Sequence, residues 1–72
     1  MTRAETRAEL LRILIELGGL YPEWRLGQTL ANLAMAAGRT DAGAVWDLED
    51  SEALAAAQRL LERHHQQIGS GA

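Results

Sequence analysis

Apolar residues recur along this 72-residue chain with the period of about 3.6 residues that places them on one side of an α-helix. The pattern predicts three amphipathic helices, over residues 3–18, 22–38 and 51–67. A short extended stretch within the connector at residues 39–50 would have no partner strand. We therefore predict an all-α fold, a compact three-helix bundle with a connector loop between helices 2 and 3.

The length of the chain allows one domain. We expect a single helical domain over residues 1–68 and a flexible C-terminal tail at residues 69–72, where small residues replace the apolar period. A domain of this size buries only about 60% of its unfolded surface. Self-association would therefore add to its stability.

The first predicted helix has a wide apolar side. It covers an arc of about 200° and consists of Leu10, Leu11, Ile13, Leu14, Ile15 and Leu17. Such an arc is too wide for one partner helix. Two interpretations stay open: helix 1 is central and contacts both other helices, or part of the arc forms a homodimer seam.

Residues with special backbone roles mark the helix ends. The N-terminal run TRAETRAE offers two capping boxes, one starting at Thr2 and one at Thr6, each with a glutamate three residues later. The Gly-Gly pair at 18–19 is expected to end helix 1, with one glycine in the left-handed conformation. Pro22 suits the first turn of helix 2, and Gly38 is expected to end that helix.

Three faces run along helix 2. Its core band comprises Leu26, Leu30, Leu33 and Ala37. The second face carries only small residues, which are Gly27, Ala31, Ala34 and Gly38. We expect it to let another backbone approach closely. The polar face comprises Arg25, Gln28, Thr29, Asn32 and Arg39. The polar face is the candidate functional surface.

The connector combines a small apolar centre with a cluster of acids. We expect it to form a loop with a turn of helix, held to the bundle by Trp46. Asp50 or Ser51 is predicted to cap helix 3, because both side chains accept hydrogen bonds from helix N-terminal amides. The apolar side of helix 3 is predicted to face the same core and comprises Leu54, Ala57, Leu60, Leu61, His64 and Ile68.

Two interpretations of the polar face of helix 2 stay open. In the first, Arg25 pairs with Glu49 or Asp50 and ties helix 2 to the start of helix 3. In the second, aromatic and amide side chains line a shallow site for a peptide or small ligand. The binding residues would then be Trp24, Arg25, Gln28, Asn32, Trp46 and Asp50.

Composition argues against several functional classes. The formal net charge is −3 and all seven basic residues are Arg, without the clustering expected of a nucleic-acid-binding protein. There is no cysteine, and the adjacent His64 and His65 do not share a helix face, so we expect no metal and no cofactor. Ser51 and Ser70 have no base placed beside them, so we predict that the protein is not an enzyme.

Two signals bear on where the protein resides. No apolar run reaches the roughly 18 residues that a membrane span requires. No signal peptide precedes the first acidic residues. We expect a cytoplasmic protein that does not bind a membrane.

The runs YPEWRLGQTLANLA and DAGAVWDLEDSEAL together cover about 30 residues and resemble a pattern of short uncharacterised bacterial proteins. That pattern reads Tyr-Pro-x-x-Arg-Leu/Phe-Gly-Gln, then Asn, Asp, an aromatic pair and Glu-Asp before a final helix. The matching positions are Tyr21, Pro22, Arg25, Leu26, Gly27, Gln28, Asn32, Asp41, Trp46, Glu49 and Asp50. Val45 stands where the pattern has an aromatic residue. The resemblance supports the architecture and carries no established activity.

These observations favour a small helical protein-interaction module. We expect it to associate with itself as a homodimer, or to act as an accessory subunit of another protein. The alternative is a small-ligand-binding regulator that uses the polar face of helix 2.

Overall fold

A computed structural model describes the backbone of residues 1–41 and 43–70 and the side chains of residues 1–41 and 43–66. These residues form three α-helices: α1 spans Arg3–Leu20, α2 spans Leu26–Ala36 and α3 spans Asp50–Ser70. The described residues contain no strand. The predicted all-α three-helix bundle is therefore confirmed.

The central helix is α3. Both α1 and α2 pack on it, whereas the contact between α1 and α2 is slight. Alanine dominates the buried side of α3, and short side chains let two helices approach it closely. The buried core cluster comprises Leu10, Ile13, Leu17, Leu33, Ala53, Leu54, Ala56 and Ala57. Of the two interpretations of helix 1, the one that makes it the central helix is therefore wrong.

Helix α1 begins at a capping box. The Thr2 hydroxyl accepts a 3.1 Å hydrogen bond from the Glu5 backbone amide, and the Glu5 carboxylate accepts a 2.9 Å bond from the Thr2 amide. These reciprocal bonds satisfy two amides that the helix leaves without partners. Of the two predicted boxes, the structure forms the one at Thr2.

The Gly-Gly pair at 18–19 does not end α1. The helix continues to Leu20, and the amide of Tyr21 donates to the Leu17 carbonyl at 2.8 Å. Within the described part of the chain, Gly38 is the residue with a positive φ. The predicted left-handed stop is wrong, because both glycines keep helical geometry; both are exposed, and a Cβ added at either would meet no atom within 4 Å.

Helix α2 starts four residues later than predicted. The segment after α1 forms a turn in which the Trp24 amide donates to the Tyr21 carbonyl at 3.0 Å, and Arg25 is extended at φ −72° and ψ 157°. Pro22 thus occupies the second position of a turn, where its fixed φ is equally suitable. The predicted place of Pro22 in the first turn of helix 2 is wrong.

The end of α2 follows the sequence prediction. Gly38 has φ +85°, and its amide donates to the Met35 carbonyl at 2.9 Å. The Arg39 amide donates to the Ala34 carbonyl at 2.9 Å. This pair of bonds is a Schellman motif, in which a left-handed residue satisfies the last carbonyls of a helix.

The three predicted faces of α2 hold only in part. Leu33 is fully buried, but Leu26 is 68% exposed. Ala34 is buried, yet a Cβ added at Gly27 or Gly38 would meet no atom within 4 Å. The close backbone approach expected at those glycines is therefore absent among the described residues.

Thr29, predicted on the polar face of α2, is buried. Its hydroxyl donates to the Arg25 carbonyl at 3.3 Å. A threonine that bonds to the preceding helical turn carries no unpaired polar group into the core. Its assignment to the polar face was wrong for this reason.

The connector folds as a turn over residues 43–47, in which the Asp47 amide donates to the Gly43 carbonyl at 3.1 Å. Ala44 is buried and Leu48 packs against the core cluster. Trp46 is 92% exposed, so the prediction that it holds the connector to the bundle is wrong. Ala42 lies outside the described residues.

Helix α3 begins at Asp50, which places Asp50 and Ser51 inside its first turn. The Glu49 carbonyl accepts from the Ala53 amide at 2.9 Å, and the Glu52 carboxylate accepts from the Glu49 amide at 3.4 Å. Glu49 therefore occupies the N-cap position. The prediction of Asp50 or Ser51 as the cap is wrong by one or two residues.

At its C-terminal end α3 reaches Ser70, two residues beyond the predicted domain boundary. The side chain of Ile68 and residues 71–72 lie outside the described part, so the expected tail stays a prediction. None of the helices in the ranges described above is both long and apolar enough to cross a membrane.

Candidate functional site

The outward side of α1 carries an unpartnered apolar surface, which we call the outer stripe. Leu10, Ile13 and Leu17 point into the core. Leu11 is 53% exposed and Ile15 is 79% exposed, although both belong to the same predicted apolar arc. The outer stripe comprises Ala4, Ala8, Leu11 and Ile15. Successive members are four, three and four residues apart, which places them on one side of the helix.

The outer stripe is uneven in shape. Its N-terminal half forms an open hollow of about 660 Å³ that is lined by Arg3, Ala4, Arg7, Ala8 and Leu11. Its C-terminal half carries Ile15, the most exposed of the large apolar side chains of α1. One end of the stripe is thus concave and the other end projects.

Charged residues flank the outer stripe on both sides. On one side Arg7 Nε donates to Asp50 Oδ2 of α3 at 3.1 Å. On the other side Arg12 pairs with Glu9 and lies 3.8 Å from Glu16. The hydrogen bond from Arg12 lowers the pKa of the Glu9 carboxyl and raises the pKa of the guanidinium. Paired charges around an apolar centre are the usual composition of an interface rim.

A second surface lies at the seam between α2 and α3. It is an open depression of about 530 Å³, which we call the seam depression. Its lining consists of Trp24, Asn32, Met35, Ala36, Leu60 and Arg63. The structure thus brings together two of the six predicted binding residues, Trp24 and Asn32.

The Trp24 side of the seam depression is held by an aromatic cluster. The Trp24 ring stacks on Tyr21 with centroids 4.2 Å apart and an interplanar angle of 7°. The Tyr21 hydroxyl lies 3.1 Å from Nδ1 of His64, whose ring meets Tyr21 edge-on at 5.1 Å. His64 is half-buried at the edge of the core, as predicted from its place on α3.

The other four predicted binding residues lie elsewhere. Arg25 and Gln28 are exposed and do not line the seam depression. Trp46 projects from the connector, and Asp50 is engaged by Arg7. The six residues therefore do not form one site.

The tie between α2 and α3 exists, but Arg25 does not form it. Arg39 Nη2 and Nε donate to the Glu52 carboxylate at 2.8 and 3.2 Å. This bond lowers the pKa of the Glu52 carboxyl and raises that of the Arg39 guanidinium. Arg59 Nη2 donates to the Ala36 carbonyl at 2.7 Å. The pairing of Arg25 with Glu49 or Asp50 is absent from the described residues.

A third, smaller groove of about 220 Å³ lies between α2 and the connector. Its apolar lining is supplied by Ala31, Ala34, Met35, Ala44 and Val45, and its polar lining by Arg39, Thr40 and Asp41. Met35 and Val45 are exposed beside it. Arg39 is already engaged by Glu52, so the groove offers mainly apolar contact.

No cluster of three or more metal-ligating side chains occurs within the described ranges. Comparison with protein-family models, curated proteins and solved structures finds no match to this chain. The resemblance to short bacterial proteins therefore stays a prediction. The surfaces above are the basis for any functional proposal.

Proposed function

We propose that this protein is a small helical protein-interaction module that associates with itself through the outer stripe of α1. The observation that carries the proposal is the exposure of Leu11 and Ile15 on a helix whose opposite side already fills the core. Burying a leucine or isoleucine side chain stabilises by about 1.5–3 kcal/mol relative to leaving it in water. Covering both side chains is therefore a substantial driving force.

A second copy of the chain has the shape that the outer stripe requires. In an antiparallel pair related by a two-fold axis, each residue contacts its counterpart reciprocally. With the axis midway between Ala8 and Leu11, Ile15 of each copy meets Ala4 of the other, and Leu11 meets Ala8. The projecting half of each stripe then fills the hollow of its partner.

Charge favours the same arrangement. With that axis, Arg12 of each copy approaches Glu5 of the other. In a parallel pair with heptad packing, Arg7 of one copy would face Arg12 of the other. The antiparallel pair therefore gains an attraction between opposite charges of the two copies.

Molar mass from light scattering, measured over a range of loading concentrations, tests self-association. We expect the wild type to form a concentration-dependent dimer and Ile15→Glu to be monomeric. Each dimer contains Ile15 twice, so losing about 1.5 kcal/mol or more per copy weakens the dimer more than a hundredfold. Leu26→Gln is the matched control, since it removes an exposed apolar side chain of similar size from α2 and should leave the dimer intact.

A wild type that stays monomeric at millimolar concentration, or a Leu26→Gln variant that dissociates as readily as Ile15→Glu, contradicts the proposal. Disulfide trapping tests the orientation, because the chain contains no cysteine of its own. Mixed Ala4→Cys and Ile15→Cys chains should cross-link with each other. Preferential cross-linking of Ile15→Cys to itself would indicate the parallel pair.

A further inference from the structure

We infer that the seam depression binds a small anionic molecule with an apolar body, such as an aromatic carboxylate. The depression lies between α2 and α3 and includes no residue of the outer stripe. This inference is therefore independent of self-association through α1.

The apolar part of the site is already in place. Met35, Ala36 and Leu60 supply its apolar lining. The Trp24 ring beside them stacks on Tyr21, whose hydroxyl lies within hydrogen-bonding distance of His64. An aromatic wall that is ordered before binding costs little further entropy when a flat ligand packs against it.

The polar part of the site consists mainly of donors. Three donor groups of the lining form no hydrogen bond or ion pair with the described residues of the chain. They are the Trp24 indole N–H, the side-chain amide of Asn32 and the Arg63 guanidinium. The neighbouring Arg59 is occupied, since it donates to the Ala36 carbonyl. Arg63 is thus the cation of the site that is available to a ligand.

This donor set selects the chemistry of the ligand. A guanidinium and an indole N–H can only donate, while the asparagine amide both donates and accepts. A carboxylate supplies acceptors alone, and hydrogen bonds between a guanidinium and a carboxylate are among the stronger ones in proteins. A planar apolar group attached to the carboxylate would pack against the apolar lining of the depression beside Trp24.

The two tryptophans make the site measurable. Trp46 is 92% exposed on the connector and does not line the depression. Trp46→Phe therefore removes a background signal and leaves Trp24 as the single emitting indole. Phenylacetate is a suitable probe, with phenylacetamide as the neutral analogue of the same shape.

The experiment is a titration of Trp46→Phe with each probe at about 0.15 M salt, where the Debye length is about 8 Å. Trp24 emission and the NMR signal of its indole N–H are followed together. We expect saturation by phenylacetate at millimolar concentration, because the depression is open, and at least tenfold weaker binding of phenylacetamide. Combining Arg63→Gln with Trp46→Phe should abolish the preference for phenylacetate over phenylacetamide.

Arg25→Gln is the matched control, because Arg25 is an exposed arginine next to Trp24 in the sequence but outside the lining. It should keep the preference for phenylacetate. The inference is overturned if neither probe saturates, if the acid and the amide bind equally, or if Arg25→Gln weakens phenylacetate as much as Arg63→Gln does. In the last case the attraction would be a general effect of charge.

Discussion

Leu33→Ala probes the contact that fixes α2 on the bundle. Leu33 is fully buried within the core cluster and is the large apolar side chain by which α2 enters it. Truncating a buried leucine to alanine costs about 2–5 kcal/mol, part of it from the cavity left behind. We expect about 3 kcal/mol here, within that range, because Leu33 is fully buried.

That loss is large for a chain of this size. At roughly 0.05–0.15 kcal/mol per residue, 72 residues give a total stability of about 4–11 kcal/mol. A change of 1 kcal/mol shifts the melting temperature of such a domain by about 4–8 °C. Leu33→Ala should therefore melt roughly 12–24 °C below the wild type, as followed by far-ultraviolet circular dichroism.

The control is Leu26→Ala, on the same helix and in the same apolar band of the sequence pattern. Leu26 is 68% exposed, so its truncation should change stability by less than about 0.5 kcal/mol. Both variants should be compared at low protein concentration by urea denaturation with a shared slope. Equal losses in the two variants would refute the structural reasoning, because they would mean that α2 buries its whole apolar band.

Two further substitutions test local features. Thr2→Ala should lower stability by about 1 kcal/mol through loss of the N-cap, whereas Thr6→Ala should cost clearly less; equal losses in thermal unfolding would contradict the assignment of the cap to Thr2. The lowered pKa of Glu52 in the folded state adds stability above the ordinary carboxyl pKa, and this stability is lost as pH falls through the folded-state value. Melting curves should therefore separate the wild type from Arg39→Gln at pH 7, and the separation should shrink as the pH falls below the ordinary carboxyl pKa; a separation that does not change with pH would point to another cause.

The fold class could be predicted because periodicity is a local property of the sequence. The capping box at Thr2 and the Schellman end at Gly38 were also predictable, since each depends on residues within one helical turn. The signals at the Gly-Gly pair and at Pro22 failed for a different reason. Glycine permits a helix to end without requiring it, and proline suits more than one kind of turn, so neither residue alone fixes a helix boundary.

The candidate site was only half predictable. Trp24 and Asn32 lie close in sequence, with Trp24 in the turn just before α2 and Asn32 within α2. Leu60 and Arg63 come from α3, about 30 residues away, and no sequence spacing brings them to the same place. A helical wheel groups side chains by angle but does not identify the helix that faces them.

The same limit explains the tie between α2 and α3. Arg25 and Arg39 were assigned to one polar face, and the acids of the connector were in reach of either. In the structure Arg39 forms the ion pair with Glu52. Gly38, the residue immediately before Arg39, has a left-handed conformation that turns the chain toward the start of α3. Arg25 precedes α2 and remains exposed at the opposite end of that helix.

The exposure of the outer stripe follows from the central position of α3. Had α1 been central, two helices would have covered its wide apolar arc; because α2 packs on α3, the half of the arc that contains Leu11 and Ile15 remains in water. The alanines that let α3 hold both helices also bury little apolar area, so the core alone contributes modestly. A second copy of the chain would cover the exposed half of the arc and would also add to the buried apolar area. If it does, stability rises with protein concentration, and Ile15→Glu removes that dependence while Leu26→Gln retains it.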